Sequence, residues 1–173
     1  MMEIVKVGMA DYKVLKTSGI LTTLGLGSCV GIALYDKYSK VAGLAHIMLP
    51  SSLEIKNNSN KAKFADTAIV ELIKEMKLIG ANENKLVAKL AGGSQMFSFN
   101  SNTDILRIGE RNVLASKKVL QELSIPILSE DTGGNYGRTI ELSVTDGNLL
   151  VKTVGHGTKN IWLYLFWTPF WRW

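Results

Sequence analysis

A layered α+β domain, with mixed or antiparallel sheets and two main helices, is the fold class the sequence predicts. Many short apolar and β-branched runs alternate with short polar turns, and only two stretches carry a helical period. Neighbouring strand candidates are joined mostly by hairpin-length connections. That argues against a doubly wound parallel sheet, whose strands need long crossovers.

Taken in order, residues 3–7 form a short strand candidate, and Gly8-Met9-Ala10-Asp11-Tyr12 reads as a loop. Residues 20–24 are apolar and β-branched and run into Gly25-Leu26-Gly27-Ser28-Cys29. Residues 30–35 and 41–49 read as strands separated by Asp36-Lys37-Tyr38-Ser39-Lys40, so they should pair as an antiparallel hairpin. Residues 51–60 are rich in Asn and Ser and read as a loop. Over residues 61–78, Phe64, Ala68, Leu72 and Met76 recur at every fourth position. Ala65, Ile69 and Ile73 widen the stripe, with Asn60 as the expected N-cap and Gly80 as the expected C′ residue. Residues 86–90 form a strand leading into Ala91-Gly92-Gly93-Ser94. Residues 109–123 form the second helix, stopped before Pro126. Ile127 and Leu128 start a strand, residues 131–137 a Gly-rich loop. Residues 138–144 and 149–154 form a final hairpin turned at Thr145-Asp146-Gly147-Asn148.

The chain of 173 residues divides into a domain over residues 1–160 and an atypical tail over residues 161–173. The tail holds all 4 tryptophans, and its composition shifts sharply after Lys159-Asn160. A packed terminal strand, a sticky segment for a membrane interface or partner groove, and an extension foreign to the domain all remain open for it. One cysteine excludes an intrachain disulfide, and one Cys with 2 His is too little for a structural zinc site. A reducing, cytoplasmic setting is expected. The N-terminus lacks the apolar core of a signal peptide, and no stretch reaches the length of a membrane span. Net charge is +5, but the lysines are scattered and no basic–aromatic alternation appears, so nucleic-acid binding is not expected.

The chemistry concentrates in Thr23-Leu24-Gly25-Leu26-Gly27-Ser28-Cys29-Val30 and in Ala45-His46-Ile47-Met48-Leu49-Pro50. If Tyr35 faces Lys40 across the hairpin turn, Cys29 lies opposite His46. Opposed residues have Cβ atoms roughly 4.5–5.5 Å apart. A neighbouring imidazole raises the thiolate fraction of a cysteine and can protonate a leaving group. Backbone N–H groups of a tight turn can hold an oxyanion, and Gly25, Gly27 and Ser28 are placed to form one. This supports a cysteine hydrolase acting on an amide or ester. The competing reading is a buried structural cysteine with His46 capping a backbone group. His156 is a rival base. Gly25 to Gly31 is not a dinucleotide fingerprint, because its last glycine is one place late and a strand follows.

These two segments resemble the signature of the chemoreceptor glutamine deamidase family, CheD. Gly8-Met9-Ala10, Gly92-Gly93-Ser94-Gln95-Met96-Phe97, Ile108-Gly109-Glu110-Arg111-Asn112 and Asp131-Thr132-Gly133-Gly134-Asn135-Tyr136-Gly137-Arg138 extend the resemblance over roughly residues 3–157. It implies a fold similar to deamidating-toxin cysteine hydrolases. It also implies a triad of Cys29 as nucleophile, His46 as general base and acid, and Thr23 as third member, with the oxyanion held around Gly27, Ser28 and Cys29. No metal or cofactor is implied. The implied substrates are glutamines on the cytoplasmic helices of methyl-accepting chemotaxis receptors, with glutamate methyl esters as a second class. The CheC phosphatase is the implied regulator, and the protein is expected to be monomeric. A non-catalytic adaptor binding receptors or the phosphatase, and a cysteine hydrolase with an unrelated amide substrate, are the alternatives.

Overall fold

The computed structural model describes residues 3–95, 107–153 and 155–161. The elements are β1 (Ile4–Lys6), β2 (Asp11–Lys16), β3 (Ile20–Leu26), β4 (Val30–Asp36), β5 (Val41–Ile47), α1 (Ala65–Leu78), β6 (Leu86–Gly92), α2 (Ile108–Glu122), β7 (Ile127–Thr132), β8 (Arg138–Ser143), β9 (Leu149–Thr153) and β10 (Gly157–Ile161). They build two five-stranded sheets, ordered β1-β3-β8-β9-β10 and β2-β5-β4-β6-β7. The β1–β3 and β6–β7 pairs are parallel and the rest antiparallel, so both sheets are mixed as expected.

Three layers follow from the side-chain alternation of the central strands. Ala33, Tyr35, Ala42 and Leu44 face the first sheet and pack with Leu21, Leu26, Ile140, Leu142, Leu149 and Val151. Ile32, Leu34, Val41, Ala45 and Ile47 face the other way, onto Ala68, Ile69, Leu72, Met76, Val113 and Leu120 of the helices. Both faces of β4 and β5 are thus covered, which is why those strands read as nearly continuous apolar runs. Gly31 belongs to the inter-sheet face: a Cβ there would meet Ile140 Cδ1 at 2.5 Å.

The hairpin register differs from the expected one. Val30 opposes Ile47, Gly31 opposes His46 and Asp36 opposes Val41. Asp36 remains in the strand because its buried carboxylate starts the turn itself, accepting from Tyr38 N at 2.9 Å and Ser39 Oγ at 2.7 Å. It also accepts from Asn82 N at 2.9 Å. Cys29 therefore does not face His46 directly. It lies two residues before His46's partner and so keeps the same face, a diagonal placement.

The first helix begins at Ala65 rather than residue 61, because Asn60 caps a separate 3₁₀ turn, Lys61–Lys63, by accepting from Ala62 N. Its end is as expected. Gly80 N donates to Lys77 O and Ala81 N to Met76 O, with Gly80 at φ +104, a Schellman closure. Two strands escape the hydrophobic pattern. β2 includes Asp11, Lys13 and Lys16 and β10 opens on Gly157-Thr158-Lys159-Asn160; both are edge strands, where polar and charged residues discourage further pairing.

β10 also reaches the expected domain boundary. Ile161, assigned to the tail, is its last residue; the side chain is buried between the sheets and its carbonyl accepts from Lys89 Nζ at 2.8 Å. Residues 162–173 lie outside the described residues. Lys89 is itself buried on β6, where burial pulls its pKa down to about 8, and it also donates to Gly147 O at 2.6 Å. A chain ending at Asn160 loses both the buried isoleucine and one partner of that ammonium. It should be about 2 kcal/mol less stable than a chain ending at Ile161, a Tm lower by roughly 4–8 °C. Equal melting of the two truncations would show that Ile161 contributes nothing to the core.

Candidate functional site

His46 lies on β5, with its side chain turned into the inter-sheet layer and almost fully buried. Its Nδ1 is 2.8 Å from Thr23 Oγ1 on β3, the facing sheet. The threonine hydroxyl has one proton, and gives it to Val7 O at 2.7 Å. Nδ1 must therefore be the donor to Thr23, which fixes the neutral tautomer and leaves a lone pair on Nε2. Nε2 is buried without a hydrogen-bond partner among the described residues. A histidine so held is oriented through one nitrogen and free to take a proton with the other.

Cys29 sits just before β4 and is buried in the same inter-sheet cluster. The chain reaches it through an irregularity in β3. Thr23 pairs with Ile140 and Leu26 with Arg138, so one extra residue is accommodated, with Gly25 at φ +71. Three consecutive carbonyls are then tied down. Gly27 O accepts from Ser94 N at 2.8 Å, Ser28 O from Asn112 Nδ2 at 2.9 Å, and Cys29 O from Gly93 N at 2.8 Å. Gly92 makes the last approach possible: its φ is +111, and a Cβ would meet Cys29 O at 2.3 Å. Among the described residues, no backbone carbonyl accepts from the amides of Ser28 or Cys29, whereas Gly27 N is engaged by Gly25 O at 3.0 Å. Of the residues nominated for an oxyanion site, Ser28 and Cys29 thus have amides without a main-chain partner, and Gly27 does not.

The electrostatics depart from the expectation of a histidine-activated thiolate. Burial pushes the Cys29 thiol up, with its own backbone amide pulling the other way. Burial also pulls His46 down, to about 4. A low-dielectric site penalises both charges, so the resting pair is neutral thiol and neutral imidazole. This pairing has a consequence for stability. The unfolded chain binds the His46 proton more tightly than the folded protein does. The stabilisation is therefore complete above pH 6.5 and is lost as pH falls from there towards 4. Between pH 7 and pH 5 His46 should cost the fold about 2 kcal/mol. Denaturant unfolding of wild type and His46→Gln at both pH values measures it. The wild type should lose that much more than the variant, and parallel losses would refute the assignment.

A second buried cluster supports the carbonyl ties. The Arg138 guanidinium is fully buried at the start of β8. It donates through Nε and Nη2 to Asp131 Oδ1 at 2.9 and 2.8 Å, and through Nη1 to Ser94 Oγ at 2.7 Å and Gly133 O at 2.9 Å. Ser94 Oγ lies 2.6 Å from Tyr136 O, and the Tyr136 ring lies 4.4 Å from the guanidinium carbon. The segment whose amides hold Gly27 O and Cys29 O is therefore anchored by a buried cation.

The structure brings Thr23 and His46 into contact and places Cys29 on the same inter-sheet face. His156 is exposed in the turn before β10 and packs on Tyr136 at 4.5 Å between ring centroids. Asn112, Ser94, Asp131 and Arg138 were given no role from the sequence. Their signal was present only as membership of the motifs Ile108–Asn112, Gly92–Phe97 and Asp131–Arg138; Met96 and Phe97 lie outside the described residues.

A family model described as CheD chemotactic sensory transduction matches residues 48–153. A protein of Caldanaerobacter subterraneus named as a probable chemoreceptor glutamine deamidase CheD is 66% identical over 159 residues, covering 92% of this chain and 98% of its own. One of Lachnoclostridium phytofermentans with the same name is 58% identical, covering 92% and 99%. A protein of Halalkalibacterium halodurans named chemoreceptor glutamine deamidase CheD is 56% identical, covering 93% and 100%.

Proposed function

The chain belongs to the CheD chemotactic sensory transduction family, and from that membership we propose that it deamidates glutamine side chains of chemotaxis receptors, with Cys29 as nucleophile. The observation that carries the assignment of the machinery is the Thr23–His46 hydrogen bond, which leaves Nε2 of a buried, neutral imidazole open on the face that Cys29 shares.

In this reading the Cys29 sulfur attacks the carboxamide carbon of a receptor glutamine while its proton passes to His46 Nε2. A neutral pair suits this order, because charge forms only as the new S–C bond does. The amides of Ser28 and Cys29 receive the developing oxyanion. The imidazolium returns its proton to the leaving nitrogen, ammonia departs, and a thioester remains. His46 then takes a proton from water, hydroxide adds to the thioester, and the thiolate leaves and is reprotonated. The balance is glutamine and water to glutamate and ammonia. The same thioester route hydrolyses a glutamate methyl ester, with methanol as leaving group. Thr23 orients His46 and does no covalent chemistry.

The proposed setting is the cytoplasm, acting as a monomer on the receptors' cytoplasmic helices, with a CheC-type phosphatase competing for the substrate face. No helix among the described residues is long and apolar enough to cross a membrane. The test is mass spectrometry of a receptor cytoplasmic fragment after incubation. Specific glutamines should gain about 1 Da, the difference between carboxamide and carboxylate. Binding without any mass change would favour the adaptor reading instead.

A further inference from the structure

We propose that Asn112 is a positioning residue for the deamidation, setting the amide of Cys29 towards the reacting carbonyl and tying the cysteine segment to the histidine strand. This rests on Cys29 being the nucleophile.

Asn112 lies on α2 and is completely buried. Its Nδ2 donates to Ser28 O and to Met48 O, both at 2.9 Å. Both neighbours are carbonyls, which can only accept, so the orientation of the side-chain amide is fixed by its surroundings. Each Nδ2 proton has one partner, while Oδ1 is buried with none among the described residues. A group held at that cost is there for its two donors.

What the donors hold is informative. Met48 follows β5 directly, two residues after His46, and Ser28 precedes Cys29. One planar amide thus spans the two segments that carry the proposed base and nucleophile. The Ser28 carbonyl and the Cys29 amide belong to the same peptide unit, and in a trans peptide C=O and N–H point in opposite directions. Pulling Ser28 O towards α2 turns Cys29 N–H away from the helix layer. The flanking carbonyls of Gly27 and Cys29 are held by backbone amides. Asn112 is therefore the one side chain among the three ties, and the one a substitution can remove.

The test is Asn112→Leu, which keeps the shape and removes both donors. Wild type, Asn112→Leu and Cys29→Ala are compared in steady-state deamidation of a receptor cytoplasmic fragment. The first two are also alkylated with iodoacetamide, a displacement at saturated carbon that builds no carbonyl oxyanion. The expected result is a fall in kcat of about 10- to 100-fold with KM within about twofold and the alkylation rate within about threefold. An unchanged kcat overturns the proposal. So does a loss in which KM and alkylation change in step, which is what general loosening gives. Turnover lost in Cys29→Ala but kept in Asn112→Leu sinks this inference alone, whereas turnover kept in Cys29→Ala sinks the nucleophile reading and this inference with it. Should Asn112→Leu not fold, the wild-type protein decides. A peptide aldehyde with the carbon skeleton of the glutamine side chain should move the Cys29 amide proton downfield as the hemithioacetal forms, and the Asn112 Nδ2 protons should exchange slowly. An unmoved amide or a rapidly exchanging pair overturns the proposal.

Discussion

Cys29→Ala should eliminate deamidation, lowering turnover by about 10⁴-fold or more, to the limit of detection. The thiol supplies the electron pair that forms the thioester, and the chain holds no second cysteine to replace it. His46 and the Ser28–Cys29 amides would remain, but they can only activate water directly on an unactivated carboxamide. The fold should survive. The substitution removes one sulfur from a site at the edge of the inter-sheet core, a loss of about 1 kcal/mol by analogy with small core truncations. The carbonyl ties of Gly27, Ser28 and Cys29 are main-chain acceptors and do not depend on the side chain. Mass spectrometry of a receptor fragment reads the activity, and thermal unfolding reads the fold. Turnover by a folded Cys29→Ala protein would remove Cys29 from the mechanism.

Asp131→Ala should have the largest effect on stability. It leaves the fully buried Arg138 guanidinium without its carboxylate. Removing one partner of a buried ion pair typically costs about 3–5 kcal/mol, because the remaining charge is uncompensated. Here the lower end applies. Asp131 is partly exposed, and Arg138 keeps Ser94 Oγ, Gly133 O and the Tyr136 ring. A loss of about 3 kcal/mol corresponds to a Tm lower by roughly 6–12 °C for a chain of this size. The double variant Asp131→Ala/Arg138→Met should recover part of that, since it removes the stranded charge as well. Activity should fall with Asp131→Ala too, because the Ser94 segment fixes the carbonyls on either side of the cysteine peptide. A single variant that melts within a degree of wild type would show that the pair is not an anchor.

The sequence is informative wherever burial has a local period. The stripe from Phe64 to Met76, the apolar runs of β4 and β5, and the Asp-Gly turn before β9 each announce their element over a few residues. The family motifs nominated Thr23, Cys29 and His46 in the same way. The edge strands β2 and β10 stayed silent because an edge need not be apolar on either face. The strand that reaches Ile161 is silent for the same reason: Thr158, Lys159 and Asn160 precede it.

What the sequence by itself determined is therefore the layered fold class, the central hairpin and the three residues of the proposed triad. Tertiary structure alone decided how those residues are held. Asp36, which starts the hairpin turn, is also held by Asn82 from across the fold. The protonation of the site depends on burial, which keeps thiol and imidazole neutral where proximity alone predicts a raised thiolate fraction. The ties on the cysteine segment come from Asn112, 84 residues away, and from Ser94, itself bonded to Arg138 44 residues further on. Contacts at such separations leave no periodic trace in a sequence. They exist only because two mixed sheets and a helix layer converge on one segment, where every buried carbonyl must find a donor.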